Sequence, residues 1–261
     1  YTFYPIFESK MQGGTEFLHE KVFNLCKAAG HDVTLLTNEL TPAVQEDYLW
    51  DTIWYADEAV IHASDKLFWN AKTKILFTNR TADTFEGKLQ PILDRFDRIT
   101  YFSNLHKRLL MEALPGIKEG QMWLLPFGTK VLPDSPERDK KKLLWSSSFD
   151  RGFLRLVPIF TRLRRFEPGI SMDMTYDLEG FMQRIDGRGL TTPIMEFLKG
   201  QNGAVHNKGG LSREELEAVL PTCGLFAFPA EALQYGSIVH SLATMDAAGA
   251  GMPLVLSDSE G

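Results

Sequence analysis

Three stretches of the chain carry the groups best suited to chemistry. Ser146-Ser147-Ser148-Phe149-Asp150-Arg151-Gly152 lies between a run of strand character and a run of helical period. Hydroxyls, free amides and one permanent guanidinium at the carboxyl end of a strand suit a diphosphate. A surface Asp-Arg pair with serine caps is the plainer reading. Gly13-Gly14 directly precedes the first helical run. Glycines there let the backbone turn tightly and offer helix N-terminal amides to an anion, or simply make a turn. In the third stretch Phe228-Pro229-Ala230-Glu231 leaves another strand and Gly236-Ser237-Ile238 leads into a helix ending in Asp246-Ala247-Ala248-Gly249-Ala250-Gly251. A carboxylate at a strand end, followed by small residues at a helix start, can hold hydroxyls and phosphate together. For Ala247, Ala248 and Gly249, close packing of helix on sheet is the plainer role.

Other chemistries find little support. The Gly13-Gly14 turn is not GxGxxG, so the dinucleotide fingerprint is missing. The six histidines show no HExxH spacing, and His19, His31 and His62 read as structural. No GxSxG elbow is present. Cys26 and Cys223 are the two cysteines, far apart and without CxxC spacing, which speaks against a disulfide framework and a zinc site. With no DxD-like acidic pair at a strand end, we expect no catalytic metal and no resident cofactor.

Positioning such groups requires a scaffold, and the apolar pattern supplies one. Strand-like runs occur at Val33–Thr37, Ala59–His62, Lys74–Thr78, Arg98–Phe102 and Met122–Leu125, then at Leu143–Ser147, Ile170–Thr175, Ala204–His206, Gly224–Phe228 and Leu254–Leu256. Apolar without alternation, they suit parallel strands buried on both faces. Helical period marks residues Thr15 to Ala29, Asn104–Leu114, Gly152–Phe166 and Ser212–Leu220, the last opening on the capping-box pair Ser212 and Glu215. Alternating strands and helices predict an α/β fold with parallel sheets. The pattern runs twice around the stretch Pro126–Lys142, which holds three prolines and a charge run. We therefore expect two Rossmann-like domains, 1–135 and 136–261, with Lys140-Lys141-Lys142 as a solvated strand entrance.

Composition bounds the partners. The 261 residues are 44% hydrophobic and 24% charged, the balance of a chain that buries a core rather than a disordered one. A net charge of -6 argues against a general nucleic-acid or anionic-membrane binder, although a local pocket for one small anion stays open. The apolar runs are far short of a membrane span, and we expect no signal peptide and a cytoplasmic setting.

Taken in order, several motifs resemble the GT-B nucleotide-sugar glycosyltransferases, close to family 4 of the retaining enzymes. Gly13-Gly14-Thr15-Glu16 followed by Ala29-Gly30-His31-Asp32-Val33-Thr34-Leu35-Leu36-Thr37 is similar to the family's "GG…E…L…GHxVxxxT" opening. Phe102-Ser103 before a helix, and Leu124-Leu125-Pro126-Phe127-Gly128, resemble its "S" and "xIPNG". Ser146–Gly152 is similar to an "SSxxRGL" variant of the phosphate loop, Gly209-Gly210-Leu211-Ser212…Leu216 to "GxVsxxEL", and Gly251-Met252-Pro253-Leu254-Val255 to "GTPVV".

The resemblance implies a GT-B fold of two facing domains and a nucleotide-diphosphate sugar as donor substrate. The acceptor is an alcohol on an undetermined glycan, lipid or small molecule; assembly of identical chains is left open. It implies that Arg151 and nearby amides stabilise the leaving diphosphate, with Gly13, Gly14, Ser146, Ser148 and the Gly236, Ser237, Ile238 segment around it. Leu211 would line the base pocket, Asp246 would accept hydrogen bonds from ribose hydroxyls, and Glu231 would face the transferred sugar. Departures accompany it. Of the family's paired basic residues at the diphosphate, Ser146 stands at one position and Arg151 at the other. Its two glutamates lie eight positions apart, whereas Glu231 and Asp246 are 15 apart. The chain starts and stops closer to the end motifs than a whole enzyme would, so the expectation is a shortened chain with an incomplete second domain. A glycosyltransferase-like binding or scaffolding protein without catalysis is the alternative; a dehydrogenase-like nucleotide binder is disfavoured by the absent GxGxxG.

Overall fold

The computed structural model describes residues 14–34, 49–56, 70–78, 87, 89–126, 128–185, 189–201, 203–230 and 241–257. These form two compact units, parting between Phe127 and Gly128. Each is an α/β unit whose sheet is wholly parallel, as the unalternating strands require.

In the first unit, helix α1 (Gly14–Ala28) precedes strands β1 (Trp50–Ala56), β2 (Ala71–Phe77) and β3 (Arg98–Tyr101), helix α2 (Asn104–Ala113) and strand β4 (Met122–Leu124). The sheet order is β1-β2-β3-β4. Strand β1 replaces nothing that the apolar runs single out: only its second half is buried, and Asp51 and Lys72 pair in solvent across its first half. The expected runs at 35–37 and 59–62 lie outside the described residues, and Val33 and Thr34 are not in a strand. Ser103 caps α2 by accepting a hydrogen bond from the His106 amide at 3.1 Å. His19 is buried with its ring 4.5 Å from that of Phe77, a packing role.

The second unit contains β5 (Asp139–Trp145), α3 (Phe153–Phe166), β6 (Ser171–Met174), α4 (Leu178–Ile185), α5 (Thr191–Lys199), β7 (Val205–Asn207), α6 (Arg213–Val219), β8 (Cys223–Phe228), α7 (Leu242–Gly249) and β9 (Leu254–Leu256). Its sheet runs β7-β6-β5-β8-β9. Counted from β5, that is the 3-2-1-4-5 order of a doubly wound sheet, with the topological switch between β5 and β8. Lys140 and Lys141 are exposed at the start of β5 and Lys142 is half-buried; Leu143, Leu144 and Trp145 lie in the core. Helices α4 and α5 escape the sequence pattern because a glycine (Gly180) and a proline (Pro193) sit in their first turns.

Residues 128–138 belong to the second unit for a visible reason. The Leu132 amide donates to the Gly249 carbonyl at 2.8 Å, and Arg138 donates to the carbonyls of Cys223 (3.1 Å) and Ala250 (2.6 Å). A Cβ on Gly249 would stand 2.4 Å from the Lys130 carbonyl oxygen, so glycine is what lets this segment run across α7.

Cys223, the first residue of β8, is fully buried, and burial, followed by the charge of Asp173, pushes its thiol up to about 11. Little thiolate therefore exists at pH 8 in the fold. Cys26 on α1 is half-buried. A maleimide titration at pH 8 should modify Cys223 only after denaturation; rapid labelling of Cys223 in the native protein would contradict this burial.

Candidate functional site

At the sheet's switch point, the chain leaving β5 meets the chain leaving β8. Trp145 ends β5 fully buried, with its ring centroid 5.2 Å from Phe153 and 5.7 Å from Phe228. Beyond it Ser146 and Ser148 are half-buried and Ser147 is buried. Phe149 then turns into the core against Phe153 (5.0 Å), Tyr176 (5.8 Å) and Phe181 (5.2 Å). This anchor shapes the loop. The Arg151 amide closes a turn onto the Ser148 carbonyl at 3.1 Å, and the Arg151 side chain is left exposed.

Gly152 caps α3 in the left-handed region, with φ of 99°, and no side chain caps the helix. A Cβ there would lie 2.3 Å from the Pro229 carbonyl oxygen and 3.2 Å from the Ala230 Cα. The loop after β5 is thus pressed against the backbone after β8, and only glycine permits both the turn and the contact. Ser257, following β9, adds a bond from its hydroxyl to the Ala230 carbonyl at 2.7 Å. The start of α3 has no side-chain cap, and its Phe153, Arg155 and Leu156 amides donate to the Phe149 and Gly152 carbonyls. The groups left at the carboxyl end of β5 to bind an anion are the serine hydroxyls and the exposed guanidinium of Arg151.

A second group of charges lies on α6 and α7. Ser212 caps α6 through the expected box: its hydroxyl accepts from the Glu215 amide at 3.2 Å, and its amide donates to Glu215 Oε2 at 2.8 Å. Leu211 is half-buried immediately before it. The next residue, Arg213, grips the buried Asp246 with two prongs, Nη1 to Oδ2 and Nη2 to Oδ1, both at 2.6 Å. Arg213 Nε also donates to Glu217 Oε1 at 3.1 Å, and Lys130 Nζ lies 2.6 Å from Glu217 Oε2. The bond to Asp246 raises the Arg213 pKa further, and the bond from Lys130 lowers that of Glu217. Thr129 Oγ1 donates to Asp246 Oδ1 at 3.4 Å. Sequence reading finds Asp246 but misses Arg213, Glu217, Lys130 and Thr129. The one available signal is the Arg213/Glu217 pair at helical i,i+4 spacing.

The register Asp173↔His206 also places His206 Nδ1 at 2.9 Å and Lys208 Nζ at 3.5 Å from the buried Asp173 carboxylate. Gly14 opens α1 in the first unit, while Gly13, Glu231, Gly236, Ser237 and Ile238 lie outside the described residues. Among the described residues, no group of three or more His, Cys, Asp or Glu could hold a metal ion, and no helix is long and apolar enough to cross a membrane.

No protein-family model matches the chain, and no curated protein does. Solved structures do. The sucrose-phosphate synthase of Thermosynechococcus elongatus superposes with a TM-score of 0.68 at 16% identity, covering 94% of this chain and 76% of its own. Anabaena HepE in complex with UDP-glucose gives 0.64 at 12%, covering 90% and 70%. The pneumococcal O-GlcNAc transferase GtfA, in complex with UDP and GlcNAc, gives 0.59 at 14%, covering 82% and 43%. The fold is that of the GT-B glycosyltransferases. This chain spans less than half the length of GtfA and about three quarters of the sucrose-phosphate synthase. The GT-B likeness extends over both parallel-sheeted units, whose sequences have diverged well below the level at which activity follows from kinship.

Proposed function

We propose that the chain is a retaining, metal-independent glycosyltransferase of the family 4 type. It would move a sugar from a nucleotide diphosphate donor to an alcohol. The observation that supports this most is the switch-point loop: Gly152 presses the uncapped start of α3 against the end of β8, beside the exposed Arg151. Open α/β sheets bind ligands at this position. The GT-B neighbours GtfA, in complex with UDP and GlcNAc, and HepE, in complex with UDP-glucose, point the same way.

In the reaction, the bond from the sugar's anomeric carbon to the diphosphate oxygen breaks and the electron pair leaves with the diphosphate. The acceptor oxygen bonds to the same carbon, and its proton passes to the leaving phosphate. Arg151, Ser146 and Ser148 meet the charge that develops on that phosphate. Leu211 lies against the base, Asp246 on the ribose and Glu231 on the sugar, where its charge does not oppose the diphosphate. A binding protein without turnover is the second reading, favoured by Ser146 standing where the family has a second basic residue.

Calorimetric titration with UDP, GDP and ADP, together with a transfer assay on the matching nucleotide sugars, tests both. Arg151→Ala should weaken nucleotide binding by about 10- to 150-fold, the loss of one charge-assisted bond. Glu231→Ala should bind the nucleotide like the parent and lose sugar transfer. Nucleotide binding without any donor turnover would favour the second reading; the opposite pattern in the two variants would invert the two roles.

A further inference from the structure

We infer that Arg213 is a positioning residue for ribose recognition, acting through Asp246; the inference rests on the donor reading above. An aspartate is one methylene shorter than the glutamate of the resembling motif, so its carboxylate has to be aimed from outside its own side chain. Arg213 does this. Its two 2.6 Å bonds hold both Asp246 oxygens on separate guanidinium nitrogens, a fork a lysine cannot reproduce. The guanidinium is itself held by Glu217, and Glu217 by Lys130. Arg213 is also the first residue of α6, fixed by the capping box on Ser212 and two residues from Leu211.

This geometry limits what Asp246 can read. A carboxylate has about four acceptor directions. The fork takes one on each oxygen, and the Thr129 hydroxyl at 3.4 Å faces a second on Oδ1. The remaining direction belongs to Oδ2, which suits one ribose hydroxyl rather than a chelated pair. Arg213 therefore sets which hydroxyl is recognised without touching the nucleotide.

The test titrates the parent, Arg213→Lys and Arg213→Ala with the best-bound of UDP, GDP and ADP and with its 2′-deoxy and 3′-deoxy forms. The parent should prefer the intact ribose over one deoxy form by about tenfold or more, and tolerate the other. Arg213→Lys, which keeps a cation for Asp246 and Glu217, should lose most of that preference while binding the discriminated deoxy form as the parent does. A purely structural role would weaken all three ligands alike. Should Arg213→Ala fail to fold, the lysine variant carries the result. A parent that binds the diphosphate with a preference untouched by Arg213→Lys would overturn the role of Arg213 alone. A parent that binds none of the three diphosphates would overturn the donor reading and this inference with it.

Discussion

Gly152→Ala is expected to destabilise the second unit by about 2–5 kcal/mol, combining left-handed backbone strain with overpacking. The added methyl would meet the Pro229 carbonyl oxygen at 2.3 Å and its carbon at 2.9 Å. Both are backbone atoms at the end of a central strand, so no side chain can swing aside. Relief requires the loop after β5 to separate from β8, which also moves Ser148 and Arg151 from the start of α3. Urea unfolding should show a lowered midpoint, and nucleotide affinity should fall with it. Gly128→Ala is the control, since an added Cβ there meets nothing within 4 Å. Equal midpoints for the two variants would refute the close approach.

Trp145→Ala should cost about 3–5 kcal/mol, the range for removing a large ring from a packed core. Trp145 ends the central strand, fully buried, and supports both Phe153 at the start of α3 and Phe228 at the end of β8. Its loss would leave a cavity beneath the loop that carries Arg151. Trp145→Phe should be milder, about 1–2 kcal/mol, because the smaller ring leaves a smaller cavity. It keeps an aromatic ring and removes an indole N–H that is buried without a hydrogen-bond partner among the described residues. Chemical denaturation of the two variants separates these outcomes. A phenylalanine variant as unstable as the alanine one would mean that the indole's full width, rather than aromatic packing, supports the loop.

Much of the second unit was readable before any fold was known, because its signals are local. The strand Leu254–Leu256 coincides with the expected run, β8 starts one residue earlier than expected, and β6 is one residue shorter than expected at each end. The Ser212 box needs only residues four positions or fewer apart to form, and Ser103 caps α2 for the same reason. Strand β1 was missed because it is half exposed: Asp51 and Thr52 break the apolar run that a doubly buried strand shows. Helices α4 and α5 were missed because Gly180 and Pro193, breakers in mid-helix, are tolerated in a first turn.

The sequence by itself determined that this protein alternates strands and helices twice, with parallel sheets, and that hydroxyls, an arginine and a glycine follow the first strand of the second run. Those properties depend on hydrophobic period and turn chemistry, which act over a few residues. Only the tertiary structure decided which strands are neighbours. The order β7-β6-β5-β8-β9 brings Gly152 against Pro229 across 77 positions of sequence, and turns an ordinary glycine into a required one. It likewise carries Arg213 to Asp246, 33 residues away, and Thr129 to the same carboxylate from 117 away. Long-range pairs of this kind leave no periodic trace in one chain, because a charge on a helix reads as a solvated face until the fold supplies its partner.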